Sequence, residues 1–394
     1  MASLALFNAF RGLATGGYMA FFAAYASSLG YSMYDIGVII TVANVVGAIL
    51  SPSMGYVLEV YSSRVASTVT GLMAAASLAI AAYTSDIAFL GLSYTLFMLS
   101  FYFGQPARMA FLARVVGRNH LGSAVGVTGA VFTASRSLGP FLAGFTIAYL
   151  GYTVAFSTLA LVSLAGSILF YALSREPGAG RSPGRMGLLE VYVKTLKPER
   201  NMVFTYAFVA VDRAAWMLWF PMLGAHFKTV GYGEALIGVL MGASTVVETL
   251  VMPLAGRLVD RAGAYVALII SEVSAALAAL GLGFGAVHIT VSFTSMVLVG
   301  LSISFWIPGY NVFIARVYPR MGEAYASTNA VRSLAGIPSP YLGGALYESI
   351  APLAPFMLCA FMLMPAVAIA LLKLKDLEVY SDNASQLRQV TSQA

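Results

Sequence analysis

Apolar residues along this chain are gathered into long blocks separated by short polar breaks. A helix needs about 20 such residues to cross the hydrocarbon core of a bilayer, where a spanning segment must satisfy its own backbone hydrogen bonds. Twelve blocks predict spanning helices, over residues 3–27, 35–58, 65–84, 87–112, 122–149, 152–174, 201–226, 234–257, 264–286, 288–316, 325–347 and 352–374. The runs are continuous and do not alternate, which excludes a β-barrel. An all-α membrane protein with 12 transmembrane helices is the fold class expected.

One polar stretch interrupts the pattern. Ser174 to Arg200, rich in Pro, Gly and Arg, falls between the sixth and seventh blocks and reads as a domain linker. The halves on either side repeat each other. Residues 36–59 (IGVIITVANVVGAILSPSMGYVLE) overlay 237–260 (IGVLMGASTVVETLVMPLAGRLVD) without a gap. Pro106 with FLARV at 111–115 overlays Pro308 with FIARV at 313–317, and RSL recurs at 136–138 and 332–334. Parallel repeats of this kind imply two homologous bundles. The expected organisation is a six-helix bundle over 1–174, a linker over 175–200, a second bundle over 201–375 and a tail over 376–394.

Composition agrees. Hydrophobic residues make up 59% of the chain and charged residues 10%, against about a quarter charged in soluble domains. The net charge of +6 could suggest nucleic acid, but its distribution explains it differently. Apart from Lys228, the Lys and Arg residues outside the blocks fall on the face that carries both termini and the linker. That is the positive-inside signature, so this face is expected to be cytoplasmic, in a cell (inner) membrane and with no nucleic-acid partner. No basic residue precedes Arg11 and no cleavage site follows, so the first block reads as a retained helix. The single cysteine, Cys359, cannot form an intrachain disulfide.

Chemistry of the enzymatic kind finds no foothold. His120, His226 and His288 lie far apart, His-Glu-x-x-His is missing, and no Gly-x-x-x-x-Gly-Lys-Ser/Thr occurs to cradle a nucleotide. No metal, no cofactor and no catalytic activity are expected, and transport energy must come from an ion or solute gradient. A monomer is expected.

GRLVDRAG at 256–263 resembles the loop signature Gly-x-x-x-Asp-Arg-x-Gly of the major facilitator superfamily. Its first-half copy, Gly55 to Arg64, is degraded, with Glu59 in place of Asp and Val60 in place of Arg. Gly139 and Pro140 open GPFLAG, which resembles the Gly-Pro-x-x-Gly-Gly element of that superfamily's antiporters, Ala143 replacing a Gly. The resemblance extends over nearly the whole chain. It implies alternating access by rocking bundles, with spans one, four, seven and ten around a central cavity. Spans two, five, eight and eleven would join the halves, and three, six, nine and twelve would support them. It also assigns Gly55, Glu59, Gly256, Asp260, Arg261, Gly139 and Pro140 to gating contacts.

A charge at membrane depth costs several kcal/mol, so each is a site candidate. Arg11, Arg108, Arg136, Asp212, Arg213, Glu248, Glu272 and Arg332 qualify. Arg11 and Arg213 hold equivalent repeat positions and resemble the arginine pairs with which some superfamily members clamp an organic anion. The competing reading is that Arg11 snorkels to the interface. Helical spacing puts Asp212, Trp216 and Trp219 on one face, Phe101, Gln105 and Arg108 on another, and Trp306, Tyr310 and Phe313 on a third. Together with Tyr18 and Asn311 these supply the substrate-binding set: Arg11, Tyr18, Gln105, Arg108, Asp212, Arg213, Trp216, Trp306, Tyr310 and Asn311. A pair between Arg136 and Glu248 is expected across the halves and would couple transport to protons. Asp212 is its rival and Arg332 the repeat counterpart of Arg136. Glu272, on a supporting span, is expected to be structural. The function these features favour is a proton-coupled secondary transporter of a small organic solute, with an organic anion preferred. A drug/proton antiporter, an uncoupled facilitator and a non-transporting receptor on the same scaffold are the alternatives.

Overall fold

The computed structural model describes residues 1–50, 53, 61–116, 121–176, 202–318 and 321–380. The linker from 177, the tail from 381, and Gly55 and Glu59 lie outside the described residues. In the first half, α1 is Ala2–Ser28, α2 Met33–Leu50, α3 Ser63–Tyr83 and α4 Ile87–Val116. One helical run, Leu121–Leu173, holds two crossings, α5 (121–150) and α6 (152–173). Gly151 separates them with φ of 83°, a value that glycine adopts without steric cost.

The second half repeats this order. Helix α7 is Val203–Met217 continued by Leu223–Thr229 after a tight turn at Phe220–Met222 containing Pro221. It is followed by α8 Glu234–Ala262, α9 Ala264–Gly285 and α10 Ile289–Val317. Helix α11 is split, Met321–Gly336 and Ser339–Ser349, where Pro338 removes a backbone donor. Helix α12 is Ala354–Ile369, prolonged by one π-turn, Ala370–Leu374. Among the described residues nine helices are long and apolar enough to span a bilayer, one of them the double α5–α6 run. Helix α1, which carries Arg11, and the split α11 complete the twelve. Large apolar side chains such as Leu142, Leu161, Leu250 and Phe361 remain exposed on the outside, as a lipid-facing surface requires.

The packing of the halves is unequal at the two ends. At the end away from the termini a single apolar core runs through both, from Phe21, Phe22 and Ile36 to Leu223, Phe227 and Ile237. At the end bearing the termini each half has its own core, around Phe7, Phe111 and Phe170 in one and Val209, Leu268 and Phe313 in the other. Polar contacts follow the same division. The Met33 amide donates to Glu348 at 2.8 Å and the Tyr341 amide to the Thr41 hydroxyl at 3.0 Å, both joining α2 to α11 at the far end. Helices α2 and α11 approach so closely there that a Cβ on Gly37 would lie 2.3 Å from the Pro340 carbonyl oxygen, and one on Gly344 2.3 Å from that of Met33. Toward the terminus-bearing end, by contrast, the space beside Gly256 is empty and Asp260 is largely exposed. Among the described residues the bundles are closed at the far end and parted at the basic end.

Candidate functional site

Between the halves lies a cavity of about 240 Å³, bounded by α1, α2, α4, α5, α7 and α8. Its walls are aromatic and thioether: Tyr94, Met98, Phe101 and Tyr102 from α4, Met217 and Phe220 from α7, Met19 and Met241. Methionine adapts to varied ligand shapes, and aromatic faces supply large contact area. Polar groups are few: Thr15, Asn44, Arg136, Arg213, Ser244 and Thr245. A second cavity of about 260 Å³ adjoins it inside the second half, sharing Arg213, Met217 and Phe220 and adding Asp212, Trp216, Ser302, Trp306 and Arg332.

The charges at this depth differ in whether they have partners. Arg136 on α5 and Glu248 on α8 form an ion pair across the halves, with the Glu248 side chain 3% exposed and that of Arg136 28%. Beside it Ser137 donates to the Thr245 carbonyl and shares a hydrogen bond with the Thr249 hydroxyl, both at 3.0 Å. Asp212 lies 3.6 Å from Arg332, whose guanidinium carbon stacks 3.9 Å above the Trp306 ring. Glu272 is fully buried on α9, and neither of its oxygens has a hydrogen-bond partner. Arg213 lines both cavities and makes no hydrogen bond or ion pair among the described residues. The buried Trp306 Nε1, a donor in the second cavity's lining, also lacks an acceptor.

Other expected site residues are placed elsewhere. Arg11 does not converge with Arg213 and does not snorkel. It is 2% exposed inside the first bundle, donating to the Thr70 carbonyl at 3.1 Å and the Ser100 hydroxyl at 2.9 Å. The two-arginine clamp is therefore not assembled in this state. Tyr18 is also interior, its hydroxyl 2.7 Å from that of Ser93 and its ring 4.4 Å from Phe97. Gln105 is exposed and lines neither cavity. Arg108 lies 5.8 Å over the Phe132 ring with a buried, unpartnered Nη1. Tyr310 stacks on Trp306 at 4.6 Å but spends its hydroxyl on Thr328, and Asn311 accepts from the Tyr325 hydroxyl. Trp216 faces the second cavity, while Trp219 packs behind it, its indole donating to the Cys359 sulfur at 3.1 Å.

The gating motifs divide in the same way. Pro140 lines the main cavity, and a Cβ on Gly139 would meet the Gly17 nitrogen at 2.6 Å, so the GPFLAG element is where α5 presses against α1. Asp260 makes its ion pair within its own half, 3.8 Å from Arg316, and Arg261 is exposed.

Two acids escaped sequence reasoning. Glu176, just after α6, accepts from the backbone of Ser63 and Arg64 at the start of α3 and from Arg114 at the end of α4. Burial alone would raise its carboxyl, but the hydrogen bonds from Arg64, Arg114 and Ser63 outweigh this and hold it below the ordinary carboxylate range. Glu378, after α12, does the same for the second half, accepting from the Ala264 and Tyr265 amides and from Arg316. Each acid satisfies orphan N–H groups of a helix start and neutralises the arginine beside it. The repeat register, which sets Arg114 against Arg316, was the signal that could have located both.

A fold of paired six-helix bundles around a mid-membrane cavity is shared by many transporters, and here the family is decided by the sequence itself. The Major Facilitator Superfamily profile matches residues 4–340. The chain belongs to this superfamily. It is a multi-pass membrane transporter of the major facilitator type. A relative in Streptococcus pneumoniae, the multi-drug resistance efflux pump PmrA, is 23% identical over 349 residues, covering 83% of this chain and 84% of its own. Multidrug resistance protein 1 of Bacillus subtilis is 29% identical over 149 residues, covering 37% and 38%. The crystal structure of the nucleoside transporter NupG matches this major facilitator fold with a TM-score of 0.76 at 13% identity, covering 95% of this chain and 98% of that one.

Proposed function

We propose that this protein is a proton-coupled secondary transporter of amphipathic organic anions in the cell membrane. The observation that carries this reading is Arg213. It is a guanidinium at membrane depth, shared by both cavities and lacking a carboxylate of its own. A cation held there without a partner is costly, and an anionic group on a solute would offset that cost with a charge-assisted, bidentate contact. Unpartnered Trp306 Nε1 adds a second donor to the same space. The Met and aromatic walls suit the apolar body of such a solute.

With the basic end cytoplasmic, the parted bundles are in an inward-open state. The Arg136–Glu248 pair then stands at the hinge line between α5 and α8 and must be remade or broken as the halves rock. Labelling of Ser182→Cys in a Cys359→Ala background tests the orientation. Reaction only in inside-out vesicles is expected, and reaction in intact cells would reverse the assignment.

A second reading, proton-driven export of amphipathic compounds, draws on the efflux pumps among the relatives and on the Met-rich walls. A thermal-shift screen of the purified protein against organic anions, amphipathic cations and sugars separates the two. Stabilisation by anions alone supports the proposal, whereas stabilisation by cations supports export of the other class.

A further inference from the structure

The first half buries two arginines without an acid to match them. Arg11 on α1 is 2% exposed, and its hydrogen bonds go to neutral acceptors, the Thr70 carbonyl on α3 and the Ser100 hydroxyl on α4. Arg108 reaches the same threonine from α4. A Cβ on Gly104 would lie 2.8 Å from Arg108 Nη1 and 3.2 Å from Thr70 Oγ1, so both guanidinium groups border Thr70. Neither arginine forms an ion pair among the described residues. Arg11 Nε and Arg108 Nη1 are buried donors without an acceptor, and the Ser67 hydroxyl, one turn before Thr70 on the same face of α3, is buried and unpartnered as well. Cations held so at membrane depth are costly without a counter-charge.

The chain offers few candidates for that charge. Residues 1–176 contain four acids, Asp35, Glu59, Asp86 and Glu176. Asp35 accepts from the amide and hydroxyl of Ser32, Asp86 from the Ala88 amide, and Glu176 from Arg114. Glu59 lies outside the described residues. The second half shows what is missing. Glu176 accepts from the amides of Ser63 and Arg64, and Glu378 from those of Ala264 and Tyr265, which sets α3 against α9 with Ser63 opposite Ala264. In that register Gly71 stands where α9 has the buried Glu272, and Phe10, next to Arg11, stands where α7 has the buried Asp212 next to Arg213. Nor is there room for an acid at Gly71, where a Cβ would lie 2.1 Å from Ser167 Oγ.

We propose that the first bundle binds a small inorganic anion, chloride in ordinary salt, between α1, α3 and α4, held by Arg11 and Arg108. The free N–H groups at Arg11 Nε and Arg108 Nη1 donate to it, the Ser67 hydroxyl adds a neutral donor, and the ion supplies the negative charge that acids supply in the second half. Arg11, Arg108, Thr70 and Ser67 line neither cavity, so the site is separate from the solute's and does not depend on which solute binds. Enclosed among three helices of one bundle, it takes an ion of one or a few atoms and excludes a solute-sized acid.

The test follows the melting temperature of the purified full-length protein while sodium gluconate is replaced by sodium chloride at constant ionic strength. A saturable rise on the order of a few degrees is expected across about 1 to 300 mM chloride, with bromide acting likewise. Arg108→Gln should lose this response and, in gluconate, should be no less stable than the wild type, because one unpaired cation is gone. Arg213→Gln should keep the response. Equal stability of the wild type in gluconate and chloride, or a chloride response that survives in Arg108→Gln, would overturn the proposal. A response lost in Arg213→Gln and kept in Arg108→Gln would move the anion to the main cavity and likewise overturn it. Crystals grown in sodium bromide give a measurement that needs no variant. An anomalous bromide peak is expected between Arg11 and Arg108 beside Thr70, and a carboxylate of Glu59 in that place would refute the anion.

Discussion

Arg136→Gln is expected to lower the thermal stability of the purified protein far more than Glu248→Gln. The two residues form one ion pair, yet their surroundings differ. Glu248 is 3% exposed and has nowhere to turn, whereas the Arg136 side chain is 28% exposed and borders the main cavity. Removing the arginine leaves a buried carboxylate without its cation, a change that costs about 3–5 kcal/mol where it has been measured in other proteins. Removing the carboxylate leaves a long, flexible cation that can reach cavity water, so a loss nearer 1 kcal/mol is expected, the range of a partly exposed pair. Since α5 and α8 belong to different halves, the loss should appear as weakened inter-half closure. Differential scanning fluorimetry of both variants checks the order. Exchange of the two residues, Arg136→Glu with Glu248→Arg, should recover part of the loss. Equal small losses from both single variants would show that the pair is ornamental to closure.

Arg213→Gln is expected to reduce affinity for organic anions by about ten- to a hundredfold, the equivalent of one hydrogen-bonded charge contact of about 1.5–3 kcal/mol. Arg213→Lys keeps the charge but loses the planar fork and should fall between. Neither change leaves a buried carboxylate newly unpaired, because Arg213 forms no ion pair among the described residues. Thermal stability should therefore hold while binding falls. Loss of folding in both variants with unchanged ligand affinity in what remains folded would make Arg213 a structural residue.

The sequence made the twelve spans and the pairing of halves legible because each rests on a long-range regularity. Apolar block length and the 36–59/237–260 overlay both survive averaging over many residues. Even the meeting of Arg136 and Glu248 could be anticipated, since spans five and eight are brought together by the architecture that the motifs resemble. What sequence could not tell was which way a side chain turns on a helix buried on every side. Arg11 and Tyr18 sit on a cavity helix, but α1 also has a face toward its own bundle. Their partners there, the Thr70 carbonyl and the Ser100 and Ser93 hydroxyls, leave no charge signature. Glu272, expected to be structural, lies on the supporting helix α9 and is fully buried there. The breaks in α7 at Pro221 and in α11 at Pro338 were visible as prolines, but the cavity wall that Phe220 forms beside the first break was not.

On the proposed reading, the cavity selects its solute by negative charge at Arg213. The most direct measurement is calorimetric titration of wild-type protein and Arg213→Gln with three solutes of one shape: 2-naphthoate, 2-naphthylmethanol and 2-naphthylmethylammonium. The wild type is expected to prefer the carboxylate over the alcohol by about tenfold or more and to reject the ammonium, and Arg213→Gln to lose the preference. Equal affinity for all three in the wild type, or a preference for the ammonium that Arg213→Gln leaves unchanged, would contradict it.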